Sequence, residues 1–177
     1  MRIISGKYKG RIISPPKNFK ARPTTDRAKE SLFNILNNRI DFEGIMVLDL
    51  FSGTGSIGFE FASRGAKSVE MVDLNFKHIE HLKKSVKELS MNNVKVRRAD
   101  FFQYINKNNS LFDIIFADPP YDMDGFEKVP ELILKSGILQ EDGIFIMEHP
   151  KQIEFNSLEG FKEQRNYGGV NFSFFSR

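Results

Sequence analysis

The chain has 177 residues, 40% of them apolar, and no cysteine; this is the size of one ordinary globular domain and excludes a disulfide framework, a thiolate metal site and a cysteine nucleophile. The net charge of +3 hides two unequal parts, since residues 1–40 hold ten Lys/Arg against only Asp26 and Glu30, a balance of +8, and the remainder carries −5. A cationic end on a mildly anionic body points to a polyanionic partner. With no signal-peptide core and no apolar run near the roughly 18 residues of a membrane span, a reducing cytoplasm is the expected compartment.

In chain order, "RIISGKYKGRIIS" places two short β-branched runs around Gly6 and Gly10 and predicts a basic hairpin. "SPPKNFKARP" reads as an extended linker. Residues 1–23 are therefore expected to form a basic arm and residues 24–177 the main domain. From Thr24, "TTDRAKESLFNILNN" carries Ala28, Leu32, Ile35 and Leu36 at helical spacing, with Thr24, Thr25 and Asp26 as candidate caps. After Gly44 short apolar strands alternate with amphipathic segments: "IMVLDL", a helix from Ser56, "SVEMVD", a helix from Asn75, "VKVRRAD", a short helix near 101–107, and "FDIIFADPP". A helix over 125–136, the strand "GIFIMEH" and a closing antiparallel pair, "GFKEQRNY" and "VNFSFFSR" around Gly168 and Gly169, bring the count to about seven strands. The expected fold is α/β, a doubly wound, mostly parallel sheet with helices on both faces.

In such a sheet ligands lie beyond the carboxyl ends of the strands, at the switch point. The residues there are Asp49-Leu50-Phe51-Ser52-Gly53-Thr54-Gly55, Asp73-Leu74-Asn75, Asp100-Phe101, Asp118-Pro119-Pro120-Tyr121 and Glu148-His149. Gly53, Gly55 and Gly58 have the spacing G-x-G-x-x-G, which suits a pyrophosphate or an aminocarboxylate equally. Asp73 could accept from ribose hydroxyls of either ligand. Asp49 separates the two: beside a pyrophosphate a carboxylate is repelled, whereas it answers an ammonium. S-adenosylmethionine carries an ammonium and a sulfonium; NAD carries two phosphates. The alternative role for Asp49 is a turn or helix cap. Asp100 could accept from an adenine amino group while Phe101 or Leu74 packs on the ring, or could simply cap a helix.

"ADPPY", after a buried strand, suits methylation of an exocyclic amine. The amine's lone pair is delocalised into the base, and two acceptors aimed at its N–H bonds make it a nucleophile. The Asp118 carboxylate and the Pro119 carbonyl can be those acceptors, with Pro119-Pro120 stiffening the backbone. Tyr121 offers a face on which an extruded base can stack, and Asp118 can stabilise the positive charge that the amine gains. A rigid turn is the plainer reading of "DPPY".

With these residues in place, the chain resembles the bacterial 16S ribosomal RNA (guanine(966)-N2) methyltransferases over nearly its whole length. The resemblance rests on "RIISGKYKGR", "RPTTDRAKESLFNIL", "VLDLFSGTGSIGFEFASRGA", "DPPY" and the late "YGG". It implies a class I, Rossmann-like methyltransferase fold, S-adenosylmethionine as methyl donor, and a guanine of 16S rRNA as target, within an assembling small subunit. By position, Asp49, Phe51, Ser52, Gly53, Gly55, Asp73, Leu74, Asp100, Phe101 and Asp118 would line the cofactor, and Asp118 through Tyr121 would hold the guanine. Lys7, Lys9, Arg11, Arg22, Thr24, Thr25 and Arg27 would meet RNA. No metal and no membrane are implied, and a monomer is expected.

The alternatives are a DNA adenine-N6 or cytosine-N4 methyltransferase, for which about forty basic-end residues leave little recognition domain, and a non-catalytic RNA-binding assembly module with a degenerate methyltransferase fold. Pyrimidine C5 methylation is disfavoured by the missing cysteine, and a nicotinamide dehydrogenase by Asp49. His78 and His81 are expected to face solvent, and His149 to be a turn residue.

Overall fold

A computed structural model describes residues 1–15, 19, 25–167 and 169–177. Seven strands form one sheet in the order β3-β2-β1-β4-β5-β7-β6. Five are parallel: β1 (Met46–Leu50), β2 (Ser68–Asp73), β3 (Val94–Arg98), β4 (Phe112–Ala117) and β5 (Leu139–Pro150). β6 (Phe161–Tyr167) and β7 (Val170–Phe175) add an antiparallel edge. β1 and β4 are buried along almost their whole length, as a sheet covered on both faces requires, and apart from Asp49 and Asp113 they read as apolar runs for that reason.

Helices α1 (Asp26–Asn37), α2 (Ser56–Ser63) and α3 (Phe76–Leu89) cover one face, where Leu32, Phe33, Phe61, Leu82 and Phe116 share one core. Helices α4 (Phe101–Lys107) and α5 (Val129–Lys135) cover the other, around Leu48, Tyr104, Ile115 and Ile133. This is the expected doubly wound arrangement. Strand order reverses between β1 and β4, which sets the switch point. Among the described residues no helix is long and apolar enough to cross a membrane.

Several local expectations change. The N-terminal hairpin is a single antiparallel bridge, Arg2 to Ile12, rather than two strands. It is fastened to α2: the Ile4 and Ser5 N–H groups donate to Glu60 at 2.8 and 3.0 Å, and the Lys7 N–H to the Ser63 carbonyl at 2.7 Å. Turning the hairpin toward protein acceptors leaves little backbone for a second ladder. α1 begins at Asp26 because the Thr25 side chain accepts the Ala28 N–H and caps it. Its buried face includes Phe33 and Lys29, while Ile35 is only half-buried. The predicted helix over 125–136 is a 3-10 turn (Phe126–Lys128) running into α5, and β5 starts four residues earlier than "GIFIMEH". Most of the expected linker, together with Arg22, Thr24 and Gly168, lies outside the described residues.

Candidate active site

The carboxyl ends of the parallel strands open into a cleft of about 840 Å³ whose described lining carries six carboxylates, Asp49, Asp73, Asp100, Asp118, Asp122 and Glu148, and no lysine or arginine. Every strand-end acid singled out in the sequence reaches it.

The glycine loop is shaped from three sides. Phe51, just after β1, holds a left-handed φ of 58°, a conformation that a bulky residue adopts only where its surroundings enforce it. Its ring lies 5.2 Å from Phe101. The Ser52 hydroxyl donates to the Asp49 carbonyl at 2.6 Å, so Ser52 ties the loop together. Gly55 sits at the N-cap of α2 with φ of 78° and has no side chain to cap the helix; a Cβ there would lie 2.5 Å from Phe59 and 2.6 Å from Leu82. Asp49 supplies the missing cap from β1, its Oδ2 accepting the Gly58 N–H at 3.0 Å. At Gly58 a Cβ would lie 2.7 Å from that same oxygen. The third glycine therefore admits Asp49 to the end of the helix.

Asp49 is 2% exposed, and burial first, with the Asp73 charge adding, pushes its carboxyl up to about 7. Cap and ligand group, the two readings open from sequence, are compatible: one oxygen caps α2 while the residue lines the cleft. In the same cleft the Ser56 hydroxyl is buried with no hydrogen-bond partner among the described residues, a cost that a ligand polar group would relieve.

At the end of β2, Asp73 is held on both oxygens. Oδ2 accepts the Gly53 N–H at 2.9 Å and meets His78 Nδ1 at 3.1 Å, while Oδ1 accepts the Asn75 N–H at 2.8 Å. His78 is thus not a solvent-facing residue; its ring also stacks on Phe19 at 4.4 Å. His81 is buried as well, with Nε2 unpartnered among the described residues and its pKa lowered mainly by burial. His149 lies inside β5, fully buried, with Nε2 2.7 Å from the Ser173 hydroxyl. All three correct the sequence reading, which had no way to see that α3 turns His78 and His81 inward or that β5 runs on through His149.

Asp100 caps α4 by accepting the Gln103 N–H at 3.1 Å and still lines the cleft. Phe101 is buried against Phe51, whereas Leu74 is 58% exposed at the rim, so Leu74 is the better placed to cover a flat ring. Beyond β4, the Asp118 N–H approaches the Leu50 carbonyl at 3.5 Å and the Met123 N–H donates to the Pro120 carbonyl at 2.9 Å, so the DPPY turn is tied to β1 and closed on itself. Pro119 is buried, Asp118 half-buried and Tyr121 exposed, its ring edge-on to Phe126 at 6.0 Å.

The described basic residues singled out in the sequence lie elsewhere. The hairpin tip with Lys7 and Lys9 sits against Ser63, at the far end of α2 from Ser56, roughly 10 Å of helix away at 1.5 Å per residue. Lys7, Lys9, Arg11 and Arg27 are exposed, and Thr25 is occupied as the cap of α1. The pair that sequence reasoning missed is Lys29 with Glu60. Both are buried; Lys29 Nζ lies 3.8 Å from Glu60 and 2.7 Å from the Arg2 carbonyl, and Glu60 also accepts from Arg64 Nε at 3.0 Å. The available signal was a lone glutamate within the otherwise uncharged "SIGFEFAS".

Comparison with known proteins adds to this geometry. Ribosomal RNA small subunit methyltransferase D of Buchnera aphidicola subsp. Baizongia pistaciae is 37% identical over 148 residues, covering 84% of this chain and 75% of its own. The structure of hypothetical protein TTHA0928 of Thermus thermophilus superposes with a TM-score of 0.86 at 27% identity, covering 100% of this chain and 99% of that one. SMU.776, solved in complex with SAH, shares the fold with a TM-score of 0.66 at 21% identity, over 82% of this chain and 48% of that one. Residues 1–176 match the model of the family described as Conserved hypothetical protein 95, and the chain belongs to that family, together with the small-subunit ribosomal RNA methyltransferases D, on a class I methyltransferase fold.

Proposed function

We propose that this protein transfers the methyl group of S-adenosylmethionine to the exocyclic N2 amine of a guanine in 16S ribosomal RNA, within an assembling small subunit. The observation that carries the reading is the charge of the cleft, six carboxylates and no lysine or arginine among its described lining. A dinucleotide's pyrophosphate would be repelled there, whereas a ligand with an ammonium and a sulfonium is attracted.

The residues fit that cofactor. Asp49, whose carboxyl is raised to about 7 by burial, gains its charge when an ammonium arrives. The unpartnered Ser56 hydroxyl, at the first turn of α2, suits the carboxylate of the same aminoacid group. Asp73, oriented by Gly53, Asn75 and His78, accepts from ribose hydroxyls, and Leu74 and Asp100 flank the adenine. When bound, the cofactor supplies an electrophilic methyl on sulfur.

The remaining steps belong to the chain. Asp118 and the Pro119 carbonyl accept the two N–H bonds of the amine and localise its lone pair toward the methyl. As the amine becomes positive in the transition state, the Asp118 carboxylate stabilises it. Tyr121, exposed at the rim, stacks on the flipped base. Lys7, Lys9, Arg11 and Arg27 contact phosphates of the RNA away from the target base. Asp118→Asn tests the assignment: methylation should fall by a factor of about 10³ or more while calorimetric affinity for S-adenosylmethionine stays within about threefold, on the scale of other transition-state electrostatic contacts. Parallel loss of cofactor binding would contradict it.

A further inference from the structure

A grip on an amine does not by itself choose a base. Adenine N6, cytosine N4 and guanine N2 each offer two N–H bonds, and Asp118 with Pro119 would receive any of them. What differs is the ring nitrogen on the Watson–Crick side of the amine, the bare N3 of guanine lying on its other side. In guanine N1 carries a proton and donates; next to the amines of adenine and cytosine the ring nitrogen is a bare acceptor. A site that reads the Watson–Crick edge of guanine therefore places an acceptor beside the Asp118 grip, and one that reads that edge of adenine or cytosine places a donor there.

The residue beside that grip is Glu148. β4 and β5 are parallel neighbours with Ala117 opposite Met147, so Asp118 and Glu148 are the next residues on adjacent strands, roughly 5 Å apart in backbone. Side chains alternate along a strand, and Phe116 and Ile146, two residues back on each strand, both enter the first core. Glu148 thus projects on the face that Asp118 follows, and both line the cleft with Phe116. Glu148 is 4% exposed. The same cleft holds the buried, unpartnered Ser56 hydroxyl, which marks it as built for a polar ligand. Glu148 belongs to neither the glycine loop nor DPPY.

We infer that Glu148 is the specificity residue for the base: its carboxylate accepts the guanine N1–H beside the amine held by Asp118 and Pro119, and it repels the bare ring nitrogen of adenine or cytosine. The inference rests on the reading of the cleft as a guanine-N2 methylation site. A site built to hydrogen-bond a substrate group rejects an analogue lacking it far more strongly than shape alone would.

The test uses 2-aminopurine, which keeps the amine at C2 and has a bare N1. Small-subunit particles reconstituted with RNA carrying guanine or 2-aminopurine at the target position are assayed for label from S-adenosylmethionine, with wild-type protein and with Glu148→Gln. Wild type should favour guanine in kcat/KM by about 100-fold. Glu148→Gln, whose amide can donate to a bare N1, should lower the guanine value by about 10- to 100-fold and shrink the preference at least tenfold, with S-adenosylmethionine affinity unchanged. Equal wild-type rates on the two bases overturn the inference without recourse to any variant. An unchanged preference in Glu148→Gln overturns it, as does a parallel loss of cofactor affinity, which would place Glu148 on the cofactor. If wild type makes no N2-methylguanosine from the guanine particles, the reading of the site falls and this inference with it; N2-methylguanosine accompanied by equal use of 2-aminopurine removes only the role of Glu148.

Discussion

Replacing Asp49 by Asn should make the ligand-free protein more stable at pH 8 and a weaker binder of S-adenosylmethionine. Asp49 is 2% exposed, and its carboxyl moves from an ordinary 3.8 to about 7, chiefly through burial. The folded-state value lies above the unfolded one, so the stability contributed by the neutral carboxyl is complete below about pH 4 and is lost as the pH rises through about 7. At about 1.4 kcal/mol per pH unit the whole span is of order 4 kcal/mol. An Asn carbonyl keeps an acceptor for the Gly58 N–H, now 3.0 Å from Oδ2, without the charge. It should recover about 1–3 kcal/mol of that span at pH 8, or roughly 3–10 °C in melting temperature for a chain of this size. On the proposed function the lost anion is the charge-assisted partner of the ammonium, a contact of about 1.5–3 kcal/mol, so Kd should weaken about tenfold to a hundredfold. Thermal melts at pH 5.5 and 8 with calorimetry on S-adenosylmethionine read both effects. At pH 5.5 wild-type Asp49 is neutral when folded but already ionised when unfolded, so about half of the span is lost and the variant's advantage should shrink by about 2 kcal/mol relative to pH 8. A variant less stable than wild type at both pH values, or one that binds with unchanged affinity, would refute the reasoning.

Glu60→Ala should cost about 3–5 kcal/mol, because it strands the buried Lys29 charge along with the Ile4 and Ser5 N–H groups. Denaturant midpoints read the loss, and hydrogen exchange should find the Ile4 and Ser5 amides unprotected; a change under about 1 kcal/mol with the hairpin still protected would show that Glu60 does not fasten it. Tyr121→Phe should retain methylation within about threefold and Tyr121→Ala should lower it about tenfold or more, since stacking needs only the ring. Equal damage from both would point to the hydroxyl.

The sheet was legible because burial on both faces leaves plain marks: Met46–Leu50 and Phe112–Ala117 are apolar runs between turn residues, and the acids that end them fall at the strand ends. The cleft followed from that regularity, since Asp49, Asp73, Asp100 and Asp118 are local consequences of where strands stop. What stayed hidden depends on contacts between distant segments. Glu60 meets Ile4 across 56 residues of chain, and Lys29 belongs to a buried helix face only because Arg2 and Glu60 answer it. His78 turns toward Asp73 only once α3 is docked. The basic segment read as an arm on charge alone, while its backbone hydrogen bonds tie it to the far end of α2. Glu148 was visible as a strand-end residue, yet its place beside Asp118 needed the β4–β5 register.

The central claim is the identity of the methylated group. Labelled methyl transfer from S-adenosylmethionine into small-subunit particles that lack the modification, followed by nuclease digestion and identification of the labelled nucleoside, tests it directly. N2-methylguanosine is the expected product; N6-methyladenosine, or particles that take up no label, would contradict the proposed function.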